Sequence, residues 1–311
     1  MNVICLRGLR GETLLGYLAT LGAFRLLSRS IPNAKLSWSD SGSGWIANVH
    51  LPCDTLSDAD QVTEVVFKAL DEQRANHPVL QWARFLKKDY FDESAFFREA
   101  TLAFLDEKTT FGSEYAPVFS SQVPLQQAEG PEHFDHPFRA ARKDYYLGNL
   151  ESVLTNTMLS HVRRTILFSW DYGDAMSNQS LRLDQGDDRR HAYQWHAPTD
   201  DPDRKKTGCM LGANRLALEA FPFFPCIPCL EGSTAVGFVC KSKTYTWFHW
   251  PIWKTPCSVQ VIGSLLNLRI ILDAESSLDS LRKRGIEMVF QGRRLPVEKN
   301  KVFLPPVAVS S

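Results

Sequence analysis

An apolar helical run near the start of the chain most constrains its fold. Leucines recur there close to the spacing of one helical face, which predicts a buried amphipathic helix that ends near Ile31–Pro32. Residues 2–7 predict a short strand before it, and Gly8 and Gly11 separate the two elements. The leucines are Leu14, Leu15, Leu18, Leu21 and Leu26.

This opening run is not typical of a signal peptide or a transmembrane helix. It lacks a cleavage-site pattern, and Glu12 and Arg25 interrupt the apolar sequence. The chain has seven cysteines, an odd number that favours reduced thiols over a framework of disulfides. We therefore expect a cytoplasmic protein.

The rest of the pattern predicts an α+β fold. Two alternating stretches, AKLSWSD and GWIANVHL, flank a turn rich in Ser and Gly and predict a hairpin, so the N-terminal part is strand, helix, hairpin. A helix-rich middle follows, with helices between residues 56 and 105 and a long helical region before Trp170, in two pieces around Gly148.

The C-terminal part is predicted to be mixed α/β. Its segments are a short helix stopped by prolines (LGANRLALEAFPFFP), a pair of strands (TAVGFVCKSKTYTWFHW), a second helix (PCSVQVIGSLLNL) and a late strand (GIEMVFQGRR). We divide the chain into an N-terminal α+β part (1–106), a loop excursion (107–136) and a helical spine with a C-terminal α+β part (137–311), the first and last of which could form one continuous domain. A further irregular stretch covers residues 171–208.

A cluster of acids and arginines at 183–195, LDQGDDRRHAYQW, is the first candidate site. The carboxylates could bind a divalent metal and the two arginines could hold phosphate oxygens. A loop with internal salt bridges is the favoured interpretation, contact with nucleic acid or a partner comes second, and catalysis comes last. The residues concerned are Asp184, Asp187, Asp188, Arg189, Arg190 and His191.

Two further groups have both a functional and a structural interpretation. Cys226 and Cys229 form a C-x-x-C, and with Cys240 and Cys257 they could bind zinc, although buried thiols are favoured because the surrounding sequence is apolar and rich in proline. Aromatic rings in YTWFHWPIW could stack on bases, but core packing is favoured. These rings are Trp247, Phe248, Trp250 and Trp253, and His249 between them is expected to face solvent or to be hydrogen-bonded.

Charge gives a mixed indication about nucleic acid. The 35 basic and 35 acidic side chains cancel, which argues against a protein that grips nucleic acid alone over a broad surface. Basic residues nevertheless occur in local groups, as a phosphate-binding groove requires. These groups are Arg139, Arg142 and Lys143, then Arg163 and Arg164, Lys205 and Lys206, and Arg293 and Arg294. The phosphate-loop, dinucleotide, nucleophile-elbow and zinc-protease motifs that would indicate an enzyme do not occur in the sequence.

Several blocks together resemble large subunits or accessory proteins of type I CRISPR effector complexes, closest to the type I-G (formerly I-U) group. The first block is LRGLRGETLLGYLATLGAFRLLS, whose matching positions are Leu14, Tyr17, Leu18, Leu21, Gly22, Arg25 and Leu26. The others, in order, are DDRRHAYQWHAPTDDP, LGANRLALEAFPFFP and WPIWKTPCSVQVIGSLLNL. The matched blocks cover about a third of the chain by our residue count.

This resemblance implies a non-catalytic subunit, without cofactor or metal, of an RNA-guided surveillance complex. Such a subunit binds guide RNA, target DNA, backbone subunits and a helicase-nuclease, and it reads the motif beside the target. The alternatives are a metal-dependent nuclease or phosphohydrolase that uses Asp184, Asp187 and Asp188, or a protein-interaction scaffold. The candidate nucleic-acid-binding residues are Arg163, Arg164, Arg189, Arg190, Lys205, Lys206, Asn214, Arg215, Arg293 and Arg294.

Overall fold

The structure of the protein is a computed structural model with an α+β architecture, as the sequence predicts. It contains a strand-helix start, a helix-rich middle and a C-terminal sheet. The residues that it describes are 1–53, 55–74, 76–87, 93–106, 110–119, 138–140, 143–174, 180–184, 208–229, 232–242, 245–273, 277–297 and 300–309.

The N-terminal sheet confirms the predicted strand and hairpin. Strand β1 (Asn2–Arg10), β2 (Lys35–Asp40) and β3 (Trp45–Leu51) pair antiparallel in the order β1-β3-β2. Gly42 and Gly44 in the β2–β3 turn have positive φ angles of 77° and 139°, which other L-residues rarely adopt. The sequence therefore fixes this tight turn locally.

Helix α1 (Leu14–Ser30) runs through the centre of the molecule. Thr13 caps it by accepting a hydrogen bond from the backbone N–H of Gly16 at 3.2 Å, and the Ile31 N–H bonds the Leu27 carbonyl at its end. Every residue from Leu14 to Leu27 is buried, so the prediction of a single buried face is wrong. A helix enclosed by sheet and helices has no solvent side, and the small and apolar residues between the leucines allow this packing.

The helices of the middle part correct two predictions. Residues 107–136, predicted as a loop excursion, contain short helices at Thr110–Ser113 and Ala116–Phe119, and residues 120–137 are outside the described ranges. The long helical region breaks at Thr157 and Met158 rather than at Gly148, and the Nδ1 atom of His161 accepts from the Met158 N–H at 3.0 Å. The helices are α2 (Ala59–Asp71), α3 (Pro78–Ala83), α4 (Glu93–Leu105), α5 (Thr110–Ser113), α6 (Ala116–Phe119), α7 (Lys143–Asn156) and α8 (Leu159–Leu167), with a 3-10 turn at Arg84–Lys87.

The C-terminal part has the predicted mixture of helices and strands. Its main sheet has the strand order β10-β8-β7-β6, with β9 also paired to β8, and β4 and β5 form a separate hairpin. The elements are α9 (Leu211–Ala220), β4 (Cys226–Cys229), β5 (Gly232–Ala235), β6 (Phe238–Ser242), β7 (Tyr245–Ile252), α10 (Val259–Leu266), α11 (Leu278–Arg282), β8 (Met288–Val297), β9 (Asn300–Phe303) and β10 (Val307–Ala308), with 3-10 turns at Phe221–Phe223 and Arg269–Leu272.

One main hydrophobic core joins the two ends of the chain, from Ile4 to Phe303. Helices α1 and α9 cross at its centre, where a Cβ atom on Gly22 would overlap the Leu216 carbonyl oxygen. Only glycine permits this approach of two backbones. None of the helices in the described ranges is long and apolar enough to cross a membrane.

Candidate functional site

A buried cluster of charged and polar side chains lies beside the crossing of α1 and α9. Its centre is the fully buried carboxylate of Glu219 on α9. Oε1 accepts hydrogen bonds from Arg215 at 2.7 Å and His77 at 2.8 Å, and Oε2 accepts from Tyr115 at 2.9 Å and Arg25 at 3.2 Å. Four separate segments of the chain therefore meet on one carboxylate.

His77 has a defined tautomer in this cluster. It is the N-cap of α3, where its Nδ1 accepts from the Val79 N–H at 3.2 Å, so Nε2 carries the proton donated to Glu219. A proton on Nδ1 would point at the Val79 donor. Burial lowers the pKa of His77, Arg215 and Arg25 lower it further, and Glu219 opposes them. The imidazole is therefore neutral at pH 7.

Three arginines, two of them buried, pair with two carboxylates. Burial alone would raise the pKa of Glu219, but His77, Arg215 and Arg25 hold it well below its usual range. Because His77 itself is neutral, we attribute this mainly to the arginines. The second carboxylate is that of Glu114, which is partly exposed and pairs with Arg25 and with Arg29. Among the described residues, these side chains form one ion-pair network that ties separate segments of the chain together.

A second cluster fixes the N-terminus of α9. The buried Asp174 accepts from Arg164 at 2.5 Å and, through its other oxygen, from the Leu211 N–H at 2.7 Å. A carboxylate at this position satisfies an orphan donor of the helix and complements its dipole. Arg164 also bonds Asp171, and this bond, aided by the Gly173 N–H, lowers the pKa of Asp171.

Two of the predicted basic pairs, Arg163 with Arg164 and Arg293 with Arg294, lie in the described ranges and contact other groups of the chain. Arg163 pairs with Asp60 at 3.3 Å and Glu64 at 2.9 Å on α2, and Arg164 is held as described above. The guanidinium of Arg293 lies 5.6 Å from the ring centre of Trp247. The buried Arg294 donates to the carbonyl of Arg139, which is also buried and not on a helix.

Asn214 and Arg215 are inside the protein, contrary to the expectation that they face a nucleic acid. Asn214 accepts from the Leu181 N–H at 2.7 Å and donates to the Met210 carbonyl at 2.8 Å. Arg215 is bound to Glu219 as described. Each residue is 1% exposed, because α9 is buried on all sides.

Most of the 183–195 cluster lies outside the described residues. Asp184 is described and half-buried. The candidates beyond the described ranges are Asp187, Asp188, Arg189, Arg190, His191, Lys205, Lys206 and Arg142. Within the part of the chain that the structure describes, no group of three or more His, Cys, Asp or Glu side chains could hold a metal ion.

Core packing of the aromatic group is confirmed for three of its rings. Phe248, Trp250 and Trp253 are buried, and Trp247 is partly buried. His249 is also buried, so of the two expected alternatives it does not face solvent; its backbone N–H bonds the Gly237 carbonyl at 2.8 Å. Phe248, Trp250 and Trp253 therefore belong to the apolar core and are not exposed for stacking on bases.

The cysteines have individual environments. The Cys226 thiol donates to the Val118 carbonyl at 3.1 Å, and the buried Cys257 thiol donates to the Thr255 carbonyl at 3.2 Å. Burial raises the pKa of Cys257, which disfavours the thiolate that zinc requires. The side chains of Cys229 and Cys240 lie outside what the structure describes.

Sequence reasoning missed the open face of the N-terminal sheet. Cys5 and Ser37 both pair with Asn48 across the three strands, and Val3 and Lys35 both pair with His50, so each row shares one side of the sheet. Nine residues lie on this side of the sheet, which we call the open face, and all except the buried Ser37 are exposed or partly exposed: Val3, Cys5, Arg7, Lys35, Ser37, Ser39, Ile46, Asn48 and His50. The alternation of residues along the strands could have indicated this face. Arg7 and Lys35 were overlooked because the sequence analysis considered only basic residues that lie close together in the chain.

Hydrogen bonds organise the polar side chains of this open face. Ser37 Oγ lies 2.8 Å from His50 Nε2, and Asn48 donates to Ser39 Oγ at 2.8 Å. Burial lowers the pKa of His50, and Lys35 lowers it further. The surface therefore presents a pre-organised set of neutral polar groups beside two cations.

Comparison with known proteins adds no relative. The chain matches no known family profile, and a search of curated sequences finds no match either.

Proposed function

We propose that the protein is a non-catalytic subunit of a Cascade-type, RNA-guided CRISPR surveillance complex. In this role it contributes to binding of guide RNA and target DNA, to recognition of the target-adjacent motif and to recruitment of the helicase-nuclease in antiviral defence. Its partners are these nucleic acids, the backbone subunits and the helicase-nuclease, and its location is the cytoplasm.

Mutual packing of the resembling blocks is the observation that supports this proposal. Gly22 of the first block meets Leu216 of the LGANRLALEAFPFFP block at the helix crossing. The WPIWKTP block joins them, because the Trp250 indole N–H donates to the Gly11 carbonyl at 2.8 Å and its ring centre lies 6.0 Å from that of Tyr17. Blocks that recur together in a family are expected to share a packed centre.

The buried charge cluster adds to this argument. Arg25 is a matched position of the first block, and Glu219 lies in the LGANRLALEAFPFFP block. Their side chains bond each other at the centre of the molecule. The resemblance therefore coincides with residues that specify the fold, whereas the DDRRHAYQWHAPTDDP block lies outside the described residues.

Co-purification tests the proposal directly. The protein is tagged in cells that carry its neighbouring genes, isolated at low salt, and its partners and bound RNA are identified by mass spectrometry and sequencing. We expect repeated backbone subunits and one short RNA of defined sequence. Isolation with partner proteins but without nucleic acid would contradict the proposal and favour a scaffold.

A nuclease assay tests the non-catalytic part of the proposal. Pure protein is incubated with labelled single- and double-stranded DNA and RNA in the presence of magnesium or manganese. We expect no cleavage. Cleavage that disappears in the Asp187→Ala and Asp188→Ala variants would contradict the proposal and assign a metal-dependent activity to the acid cluster.

A further inference from the structure

We infer that the open face of the N-terminal sheet, the nine residues defined above on β1, β2 and β3, binds the backbone of single-stranded RNA. This inference rests on the proposed function, because it assigns a surface to RNA contact. On this inference, RNA contacts the sheet and not only the basic pairs that the sequence analysis selected.

The charge of this open face is the first argument. None of its nine residues is acidic, and it carries the two cations Arg7 and Lys35. Neither cation forms an ion pair with any residue in the described ranges. Arg163 and Arg164, by contrast, are each paired with two carboxylates of the chain. Arg7 and Lys35 are thus available to phosphates without first breaking an internal ion pair.

Acidic groups near the hairpin turn are already engaged. Asp40 accepts from the Gly42 N–H at 2.8 Å. Glu12 pairs with Arg10 at 2.8 Å and accepts from the Trp45 N–H at 2.9 Å. These bonds hold both carboxylates in the turn region. The face itself keeps a positive balance, which complements a phosphate backbone.

Spacing and chemistry favour a single strand. Lys35 lies two strands away from Val3 in the same row, and Arg7 follows Val3 by four residues on β1. The Cα atoms of Arg7 and Lys35 are therefore on the order of 15 Å apart. The partly exposed Asn48 amide lies on the strand between them, and Ser39 adds an exposed hydroxyl on β2, whereas Ser37 is buried. An amide and a hydroxyl can donate to and accept from a ribose 2′-hydroxyl. His50 carries the aromatic ring among the nine residues, and that ring is partly buried and held by Ser37 Oγ, 2.8 Å from its Nε2. Contacts are therefore with phosphate and sugar, and the binding has little preference for base sequence.

Charge reversal with a matched control tests this surface. The test variant is Arg7→Glu/Lys35→Glu, and the control is Lys68→Glu/Arg269→Glu, at exposed cations on α2 and in the 3-10 turn before α11. Both variants change the net charge equally. Binding of a short labelled RNA of mixed sequence is measured by fluorescence anisotropy between about 50 and 200 mM salt. Single-stranded DNA of the same sequence and polyglutamate serve as competitors.

We expect the test variant to bind RNA about tenfold more weakly or worse, with a log-log salt slope smaller by about 1.4, since each lost phosphate contact contributes about 0.7. The control should stay near the wild type, and RNA should compete better than DNA. Equal loss in both variants, or none in the test variant, would overturn the inference. Better competition by DNA or polyglutamate would overturn the assignment to RNA.

Two further measurements separate folding and the proposed function from this surface. The milder Arg7→Gln/Lys35→Gln variant should show a smaller loss in the same direction, and thermal unfolding should match the wild type for both test variants. If the wild type co-purifies with guide RNA and the test variant binds RNA normally, only the surface assignment fails. If the wild type neither binds RNA nor co-purifies with it, the proposed function fails as well.

Discussion

At the scale of single residues, only part of the cluster around Glu219 could be predicted from the sequence. Arg215 and Glu219 are four residues apart on one helix, so their pairing was predictable from spacing. His77 and Tyr115 meet the same carboxylate from 142 and 104 residues away, and no local pattern encodes this contact. Buried charges require partners, but sequence alone does not say which helices are buried on all sides.

His77 predicts a dependence of stability on pH. Its pKa is lowered in the folded state, so the unfolded chain binds more protons as the pH falls below about 6.5. The stability contributed by neutral His77 is fully present above that pH and is lost toward the lower folded-state pKa. We expect the free energy of unfolding to fall with acidification, by at most about 1.4 kcal/mol per pH unit from this group.

Urea unfolding of the wild type and His77→Gln between about pH 7.5 and 5 measures this effect, since a glutamate of ordinary pKa, about 4.3, is still mostly ionised in the unfolded chain over this range. Glutamine keeps a donor near the position of Nε2 but does not titrate. Its pH slope should therefore be smaller than that of the wild type. Equal slopes for the two proteins would remove His77 as the cause.

At the scale of elements, local rules succeeded where the signal was local. Alternation identified β2 and β3, Pro78 marked the start of α3, and the prolines after Ala220 marked the end of α9. The break in the long helical region was misplaced because glycine is a weak helix breaker, whereas Gly148 continues inside α7. The central position of α1 was missed because enclosure depends on the partners that surround a helix.

Two glycine-to-alanine substitutions compare tertiary and local effects. In Gly22→Ala the new methyl group would overlap the Leu216 carbonyl, so α1 and α9 must separate and stability should fall by about 2 to 3 kcal/mol or more. In Gly148→Ala the new methyl group meets nothing within 4 Å, so stability should rise by about 0.5 to 1 kcal/mol. Denaturant midpoints measure both, and a neutral Gly22→Ala would contradict the close helix crossing.

At the scale of the whole molecule, several cations that looked available in the sequence are paired in space. Arg25 on α1 and Arg163 on α8 meet carboxylates of other helices, and Arg215 meets Glu219 within α9, so these arginines are engaged inside the fold. Composition gives the balance of charge but not which cations remain unpaired. That distinction required the strand register, which places Lys35 on an open face.

Cutting the chain at the predicted part boundaries tests how far the shared core controls folding. Residues 1–106 contain α1 and residues 137–311 contain α9, whose apolar faces pack together in the main core. Separation would leave Arg25 and Glu219 without each other and expose that core. We therefore expect neither fragment alone to unfold cooperatively, as measured by circular dichroism during urea titration.

Co-expression provides the control for this cut. Fragments 1–119 and 120–311, divided at the end of α6, keep Tyr115 with α1. They should assemble into one complex, detected by size-exclusion chromatography, that unfolds cooperatively in urea. Introducing Gly22→Ala into the first fragment should weaken that assembly, because the helix crossing is then part of an interface between two chains. Two fragments that fold independently and do not associate would show that the parts are separate domains, since a shared core cannot be divided without loss of cooperativity.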